Sequence, residues 1–424
     1  MRRAPKAAHV IGAGLSGLSA AVALTKAGFA VTLSDAARQA GGRCRSYRDP
    51  QLGVVIDNGN HLVLSGNHAV HEFLATIGAG DRLAGPAEAR FPYADVRDGR
   101  RWELRPNAGR LPWWILAKGR RVPGTRPADY LALSRLLKAT PDQTIGDLLP
   151  TQGPLWDGLL ANFLVSALNT PAAEGSAALA GAVVRETLAK GGAACLPLVA
   201  EPTLAAAFIE PALAWLEARG ATIRLGRRLR AVERDEGRVM TLDFADGREA
   251  VAADEPVVLA VPAWVAGDLL PGLRVPDRHN AIVNAHFLHP ASAGAAPITG
   301  VIGGTAEWVF AFPDRLSTTT SAGDALLDED RETLARRLWA DVAAVHHLST
   351  ELPRWQIVVE KRATFAATPD QDRRRPCAET KWDNLFLAGD WTQTGLPATI
   401  EGALRSGRTA AALAIRMETG TVAR

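Results

Sequence analysis

The apolar positions of residues 8–35, AHVIGAGLSGLSAAVALTKAGFAVTLSD, change period twice. Residues 8–11 form a short strand that runs into glycines. Ala20, Ala21, Ala23 and Leu24 then recur at helical spacing up to Gly28, and residues 29–33 return to a strand closed by Asp35. This order is a βαβ unit. Near the other end, residues 384–388 (NLFLA) predict an apolar strand entering Gly389-Asp390-Trp391-Thr392. A helix carrying Ser406 and Gly407 follows it. Between these ends, residues 62–190 read as largely helical: Leu131, Leu133, Leu136 and Leu137 crowd one stretch, and Leu159, Leu160, Phe163, Leu164 and Leu168 recur at helical spacing. Residues 205–219 predict another helix, and residues 333–345 an amphipathic one with Leu334, Leu338 and Val342 four apart. Strands are predicted at 221–225, 229–234, 239–244 and 255–261, with Asp246-Gly247 as a hairpin turn.

The bulk numbers narrow the class. At 424 residues the chain is long for one simple core, so two joined lobes are expected. With 47% apolar and 22% charged residues it has a globular balance. A net charge of +3, spread along the chain, gives no basis for a nucleic-acid partner. The densest basic clusters, Arg227-Arg228 with Arg230 and Arg373-Arg374-Arg375, are expected on solvated turns. Cys44, Cys195 and Cys377 are widely spaced and odd in number, which argues against a disulfide framework, a metal site or an oxidising compartment; a cytoplasmic location is expected. The first strand starts near residue 8, leaving no room for a leader peptide. No run of about 18 uncharged apolar residues is present to span a bilayer.

The glycines carry the first chemistry. Gly12 permits the tight turn, Gly14 lets the backbone approach a pyrophosphate, and Gly17 lets the helix pack on the strand. Amides at the helix start, at its positive dipole end, hold the phosphates. Asp35 stands where a carboxylate accepts from ribose hydroxyls. Ser16 and Leu229 are counted with the same cofactor site. A nicotinamide enzyme has no reason to follow this unit with Gly41-Gly42-Arg43 and then Asp57-Asn58-Gly59-Asn60-His61. A flavin does, because the loop must run along its diphosphate to the ring. Arg43 is expected to neutralise phosphate charge, with Gly59 and Asn60 beside the isoalloxazine. Asp390 follows a strand at Gly389, where an open parallel sheet binds ligand. Ile400 and Glu401 open a helix whose amides point at the flavin's pyrimidine edge. The expected fold class is α/β: a Rossmann-type, discontinuous FAD-binding domain (residues 1–65, 195–275 and 355–424) with an inserted α+β substrate-binding domain (66–194 and 276–354).

These residues resemble the amine oxidase and phytoene desaturase superfamily of flavoproteins across the whole chain. Within it the chain is most similar to hydroxysqualene dehydroxylases, the squalene-associated FAD-dependent desaturases of bacterial hopanoid pathways. Residues 57–61 (DNGNH), 167–171 (ALNTP), 389–392 (GDWT) and 395–403 (GLPATIEGA) carry the resemblance. It implies reductive removal of the hydroxyl of hydroxysqualene, a long-chain isoprenoid substrate, giving squalene and water. Such chemistry needs an acid near the hydroxyl and an apolar tunnel with aromatic faces. Trp308, Phe310, Phe312, Trp391 and Thr399 are candidates for the tunnel, the first three with core packing as the competing role. His61 is nearest the expected ring and is the candidate acid, against an anchoring role in its own loop. Residues 300–304 (GVIGG) lack a second nucleotide fingerprint, so an external electron donor is expected. A carotenoid desaturase, an amine oxidase and a non-enzymatic FAD-binding scaffold are the rival readings. Against the amine oxidase, Thr399 stands where those enzymes keep an aromatic ring, and the three tyrosines (Tyr47, Tyr93, Tyr130) lie in the first third. Residues 111–116 (LPWWIL), flanked by Lys118, Arg120 and Arg121, have the make-up of a peripheral patch for the inner face of a membrane, or of a buried helix start.

Overall fold

In the structure, a computed structural model that describes residues 6–418, the βαβ unit is in place. Residues 1–5 and 419–424, at the outer ends of the expected FAD-binding domain, lie outside the described residues. The strand Ala7–Ile11 pairs in parallel with Ala30–Asp35 along its length, from Ala7 opposite Ala30 to Ile11 opposite Ser34. The full parallel sheet runs Thr222–Leu225, Ala30–Asp35, Ala7–Ile11, Val257–Leu259, Leu385–Leu387. Winding therefore reverses between the first strand and Val257–Leu259, the position where such sheets bind ligand. Val10, Leu33, Val258 and Leu387 are buried because helices cover the sheet. The first and last helices, Leu15–Lys26 and Ile400–Glu418, cross so closely that a Cβ on Gly407 would lie 2.1 Å from the Ser16 carbonyl oxygen.

A second sheet forms the inserted lobe. Its seven strands run Trp355–Phe365, His279–Phe287, Leu316–Thr320, Trp308–Ala311, Ile298–Ile302, Phe91–Asp95, Arg101–Leu104. All neighbours are antiparallel except Ile298–Ile302 with Phe91–Asp95. One face, with Val283, Ala285, Phe287, Val309 and Leu316, packs on Leu334, Leu338, Trp339 and Val342 of the helix Arg331–His346. The opposite face carries Trp102, Tyr93, Trp308 and Phe310, covered by helical segments drawn from residues 113–188.

The α/β class and an inserted α+β lobe agree with the sequence reading, but several details differ. Residues 62–190 are less helical than the leucine spacing predicts, because Phe91–Asp95 and Arg101–Leu104 form a hairpin on the second sheet. The strand Trp355–Phe365, assigned above to the FAD-binding part, pairs from Phe287 opposite Trp355 to His279 opposite Phe365 in the second sheet. The first lobe therefore resumes after residue 365.

Candidate active site

Each glycine of the first turn has a separate duty. Gly12 has φ +110°, and a Cβ there would lie 2.3 Å from the Ala260 carbonyl oxygen. A Cβ on Gly17 would fall 1.8 Å from the Gly12 oxygen and 3.3 Å from the Ala260 Cβ. The helix thus packs on the first turn and on the loop after Val257–Leu259. Gly14 is the N-cap of Leu15–Lys26, with no side-chain cap, no acidic residue in the first turn, and no protein atom within 4 Å of where its Cβ would stand. Uncapped amides at a positive helix end are the partners a diphosphate requires. Ser16 is buried within that first turn. Gly42 (φ +56°) faces the same place, a Cβ on it lying 3.5 Å from the Gly14 Cα.

Asp35, expected at the ribose, accepts from the Ala13 amide through Oδ2 (2.6 Å) and from the Ala37 amide through Oδ1 (2.7 Å). Each oxygen keeps a further lone pair for a hydroxyl. The Arg227 amide donates to the Asp35 carbonyl at 2.7 Å, which brings Leu229, buried opposite Phe244, to this side of the site. The residues fit the adenosine and diphosphate of FAD.

Arg43 and Asp390, from opposite ends of the chain, meet. Arg43 Nη2 donates to both Asp390 oxygens, at 2.8 and 2.7 Å, and Nη1 donates to the Ala363 carbonyl. Sequence reading assigned Arg43 to phosphate charge; in the structure its guanidinium is committed to a carboxylate only 7% exposed, which requires a cation. Burial opposes the guanidinium charge, but Asp390 outweighs it and holds the Arg43 pKa above its ordinary value. The Asp390 loop is pinned from behind by Arg375, whose side chain is 1% exposed. Arg375 donates through Nη2 to the Asp390 carbonyl (3.2 Å) and Thr394 Oγ1 (2.7 Å), and through Nε to the Thr392 carbonyl (2.9 Å). Its expected place on a solvated turn is therefore wrong. So is that of Arg227, whose guanidinium lies 3.8 Å over the Phe244 ring and is largely covered. An arginine run betrays no burial by itself, so only the fold exposes this role.

Trp391, expected in the tunnel, is 4% exposed. Its Nε1 donates to the Val261 carbonyl at 2.9 Å, and a Cβ on Gly389 (φ +153°) would strike its ring at 2.2 Å. It clamps the loop. Thr399, also expected in the tunnel, caps the last helix: its Oγ1 accepts from the Gly402 amide at 3.0 Å. Ile400, buried, is the first residue of that helix. Glu401 turns away to accept from the Ala69 and Val70 amides, at 3.1 and 3.0 Å, at the start of the helix His68–Thr76.

The 57–61 loop joins the lobes. Asp57 Oδ1 accepts from Ser46 Oγ (2.5 Å) and the Leu204 amide (3.0 Å). A Cβ on Gly59 would lie 3.2 Å from Asn284 Nδ2. Asn60 Nδ2 donates to the Thr318 carbonyl and Thr319 Oγ1, both at 3.2 Å, while its buried Oδ1 has no partner, a free acceptor beside the expected flavin ring. His61 Nδ1 lies 2.9 Å from the Gly59 carbonyl. Because a carbonyl only accepts, Nδ1 donates and carries the one proton of the neutral ring, and burial lowers the His61 pKa, away from the proton-donating range. Geometry favours the anchoring role for His61 over the acid.

The aromatic face of the second sheet leads away from this loop. Tyr93 stacks on Trp102 (5.8 Å, 6°) and tilts against Trp308 (5.7 Å). It lies flat across Gly300, where a Cβ would meet its ring at 2.3 Å. Phe310 and Phe312 stack at 6.4 Å. Trp308 Nε1 donates to Ser166 Oγ at 2.6 Å. Beside it, Glu307 Oε2 accepts from the Ser321 amide at 2.9 Å and lies 3.4 Å from Ser166 Oγ. The ALNTP stretch clasps this region. Asn169 (φ 47°) donates to the Asn280 carbonyl (3.1 Å) and Thr364 Oγ1 (2.9 Å), and accepts from the Ala322 amide (2.6 Å). Sequence reading missed Glu307, Asn280 and Asn284, the last two because they sit in a strand with no apolar alternation. A carboxylate directly ahead of the aromatic run WVF was the available signal for Glu307.

A dinucleotide turn, an arginine–carboxylate bridge and a helix start converging on one place define a flavoenzyme site, and residues 15–415 match the family model of flavin containing amine oxidoreductases. The solved structure of a putrescine oxidase variant has a TM-score of 0.72 at 17% identity, covering 97% of this chain and 98% of that one, and attests the fold alone. Among curated proteins, hydroxysqualene dehydroxylases from Rhodopseudomonas palustris and Zymomonas mobilis are 53% and 51% identical, covering 97% and 96% of this chain and 98% of each relative. A "Probable zeta-carotene desaturase" of Synechococcus elongatus is 25% identical over 95% of this chain and 97% of its own. The chain belongs to the hydroxysqualene dehydroxylase family, and it is an FAD-dependent oxidoreductase.

Proposed function

We propose that this chain reductively removes the hydroxyl group of hydroxysqualene, giving squalene and water. The observation that carries this reading is identity of 51–53% along nearly the whole length of relatives bearing that activity in their name. FAD, when bound and reduced, supplies the hydride equivalent for the carbon that loses oxygen. The chain's own part is to hold the isoprenoid and manage charge. Trp102, Tyr93 and Trp308 pack ring against ring in the second lobe, the apolar wall such a substrate requires. With Thr399 capping the last helix, no aromatic ring stands at the place where an amine oxidase keeps one. An external donor reduces the flavin in this reading. Anaerobic incubation with hydroxysqualene and chemically reduced flavin is expected to give squalene, while phytoene stays unchanged. Desaturated phytoene without squalene would overturn the reading, and flavin bleaching by NADPH alone would remove the external donor.

The substrate's bilayer chemistry gives the exposed segment around Trp113 a use. Leu111 (81%), Trp113 (52%), Leu116 (68%) and Leu131 (65%) are four of the seven exposed large apolar side chains among the described residues. Arg120 sits 4.8 Å over the Trp113 ring. Trp114, by contrast, is buried edge-on against Tyr130 at 5.1 Å and anchors the segment. We assign this patch to an anionic membrane surface, a peripheral contact; no helix of the described residues is long and apolar enough to cross a membrane. Replacing Trp113 and Leu116 together by aspartate is expected to weaken binding to anionic liposomes at least tenfold, since each apolar side chain buried is worth about 1.5–3 kcal/mol. Unchanged sedimentation with liposomes would remove the assignment.

A further inference from the structure

Catalysis by ionisation of a C–O bond requires a proton at the departing oxygen, and His61 is not arranged to give one. The remaining carboxyls near the 57–61 loop have other duties: Asp57 holds Ser46 and Leu204, Asp390 holds Arg43, Glu360 accepts from Asn58 and faces Arg43, and Glu401 holds Ala69 and Val70. Glu307 is different. No cation pairs with it among the described residues, and its partners are a backbone amide and the hydroxyl of Ser166.

Its surroundings connect it to the reaction region from two sides. Thr319 accepts from the Glu307 amide through its carbonyl at 3.0 Å and from Asn60 through its hydroxyl at 3.2 Å, so one residue separates Glu307 from the loop beside the expected flavin ring. Ser321, which donates to the Glu307 carboxylate, is followed by Ala322, whose amide donates to Asn169 in the ALNTP clasp. Glu307 also lines a mostly apolar cleft of about 430 Å³ with Trp156, Val165, Pro171, Val301 and Ile302. That cleft is open to solvent on one side and ends at the ALNTP stretch.

We propose that Glu307 is the proton donor to the leaving hydroxyl, with the Ser321 amide orienting its carboxyl. This rests on the dehydroxylase reading above. The substrate oxygen takes the proton from the Glu307 carboxylic acid as the C–O bond breaks, and departs as water. The electron pair for the new C–H bond comes with the hydride from reduced flavin. Glu307 is left as a carboxylate and regains a proton from solvent through the cleft. Burial supports the protonated form, lifting the Glu307 pKa to about 7. The other ionisable groups around it are acids, Asp157 in the cleft and Asp341 on the helix Arg331–His346, the latter bonded to the Thr305 and Ala306 amides. Arg337 on the same helix acts on Asp341 and pairs with Glu329.

The test uses the FAD-loaded full chain. E307Q keeps the shape and loses the acid, so single-turnover dehydroxylation is expected to fall about 100-fold or more, the usual worth of a positioned acid. Hydroxysqualene binding, read by tryptophan fluorescence, should stay within about threefold of wild type. The wild-type rate should fall as pH rises through about 7, and that limb should vanish in E307Q. A readout independent of turnover is infrared difference titration: a protonated-carboxyl band should disappear near pH 7 in wild type and be missing from E307Q. Wild-type rate and pH limb in E307Q, or a carboxyl band that titrates with ordinary carboxylates, overturns the proposal. Flavin content reports whether E307Q folds; if it does not, E307D, which keeps an acid, must shift the limb, and an unshifted limb overturns the proposal. Should wild type leave hydroxysqualene untouched, the dehydroxylase reading fails, while the infrared titration still decides the state of Glu307.

Discussion

Gly17→Ala is expected to purify with less than a tenth of the wild-type flavin and to melt several degrees lower even as apoprotein. The added Cβ would stand 1.8 Å from the Gly12 carbonyl oxygen and 2.9 Å from its carbon, and neither backbone has room to yield. Overpacking of ordinary cores costs about 1–3 kcal/mol, and two rigid main chains place this case at or above the upper end. Any relief swings the start of Leu15–Lys26 away from Gly12 and Gly42, which is where the diphosphate amides must be held. Gly14→Ala separates the two effects. No protein atom lies within 4 Å of the new methyl, so apoprotein melting should not change while flavin affinity drops. Flavin-to-protein absorbance ratios and thermal melts of both variants decide the matter; a Gly17→Ala protein with full flavin sinks the argument.

Asp390→Ala is the second large effect. It removes a carboxylate that receives two of the three Arg43 hydrogen bonds and leaves the guanidinium with only the Ala363 carbonyl. Breaking one partner of a buried pair costs about 3–5 kcal/mol, and because the Arg43 side chain is 42% exposed, about 2–3 kcal/mol is the better figure. FAD affinity should fall roughly 30- to 150-fold at 1.4 kcal/mol per decade. Asp390→Asn, which keeps one acceptor, should lose less. Equilibrium dialysis of the flavin measures both, and equal losses for the two variants would mean that charge, not hydrogen bonding, carries the bridge.

Much of the first lobe was legible because its signals are local. A strand, three glycines and a helix of small residues need only their own neighbours to be recognised: Gly12, Gly14 and Gly17 stand at the first turn and helix start, and Asp35 closes the second strand. The second sheet was not legible, and the reason is chemical. Its central strands bury Asn280, Asn284, His286, Ser317, Thr318 and Thr319, so neither an apolar run nor a clean alternation marks them. Several of those polar groups bond to partners far away in sequence, such as Asn60 for Thr319 and Asn169 for Asn280, whereas Thr318 Oγ1 and His286 Nε2 stay without a partner. Trp391 and Thr399 show a related limit: an aromatic ring and a hydroxyl in a flavin motif look equally suited to touching substrate or to holding the loop. Their hydrogen bonds to Val261 and Gly402 add the holding role, which the sequence did not reveal.

The placement of Leu385–Leu387 at the edge of the first sheet, with Asp390 just beyond it, also sets a clock on biosynthesis. A ribosome working at about 5–20 residues per second needs roughly 20–80 s to reach that strand. For all of that time the glycine turn is made but its carboxylate partner and its crossing helix are not. Until then Arg43 has no Asp390 to receive its hydrogen bonds, and the helix Leu15–Lys26 has no Gly407 crossing to pack against.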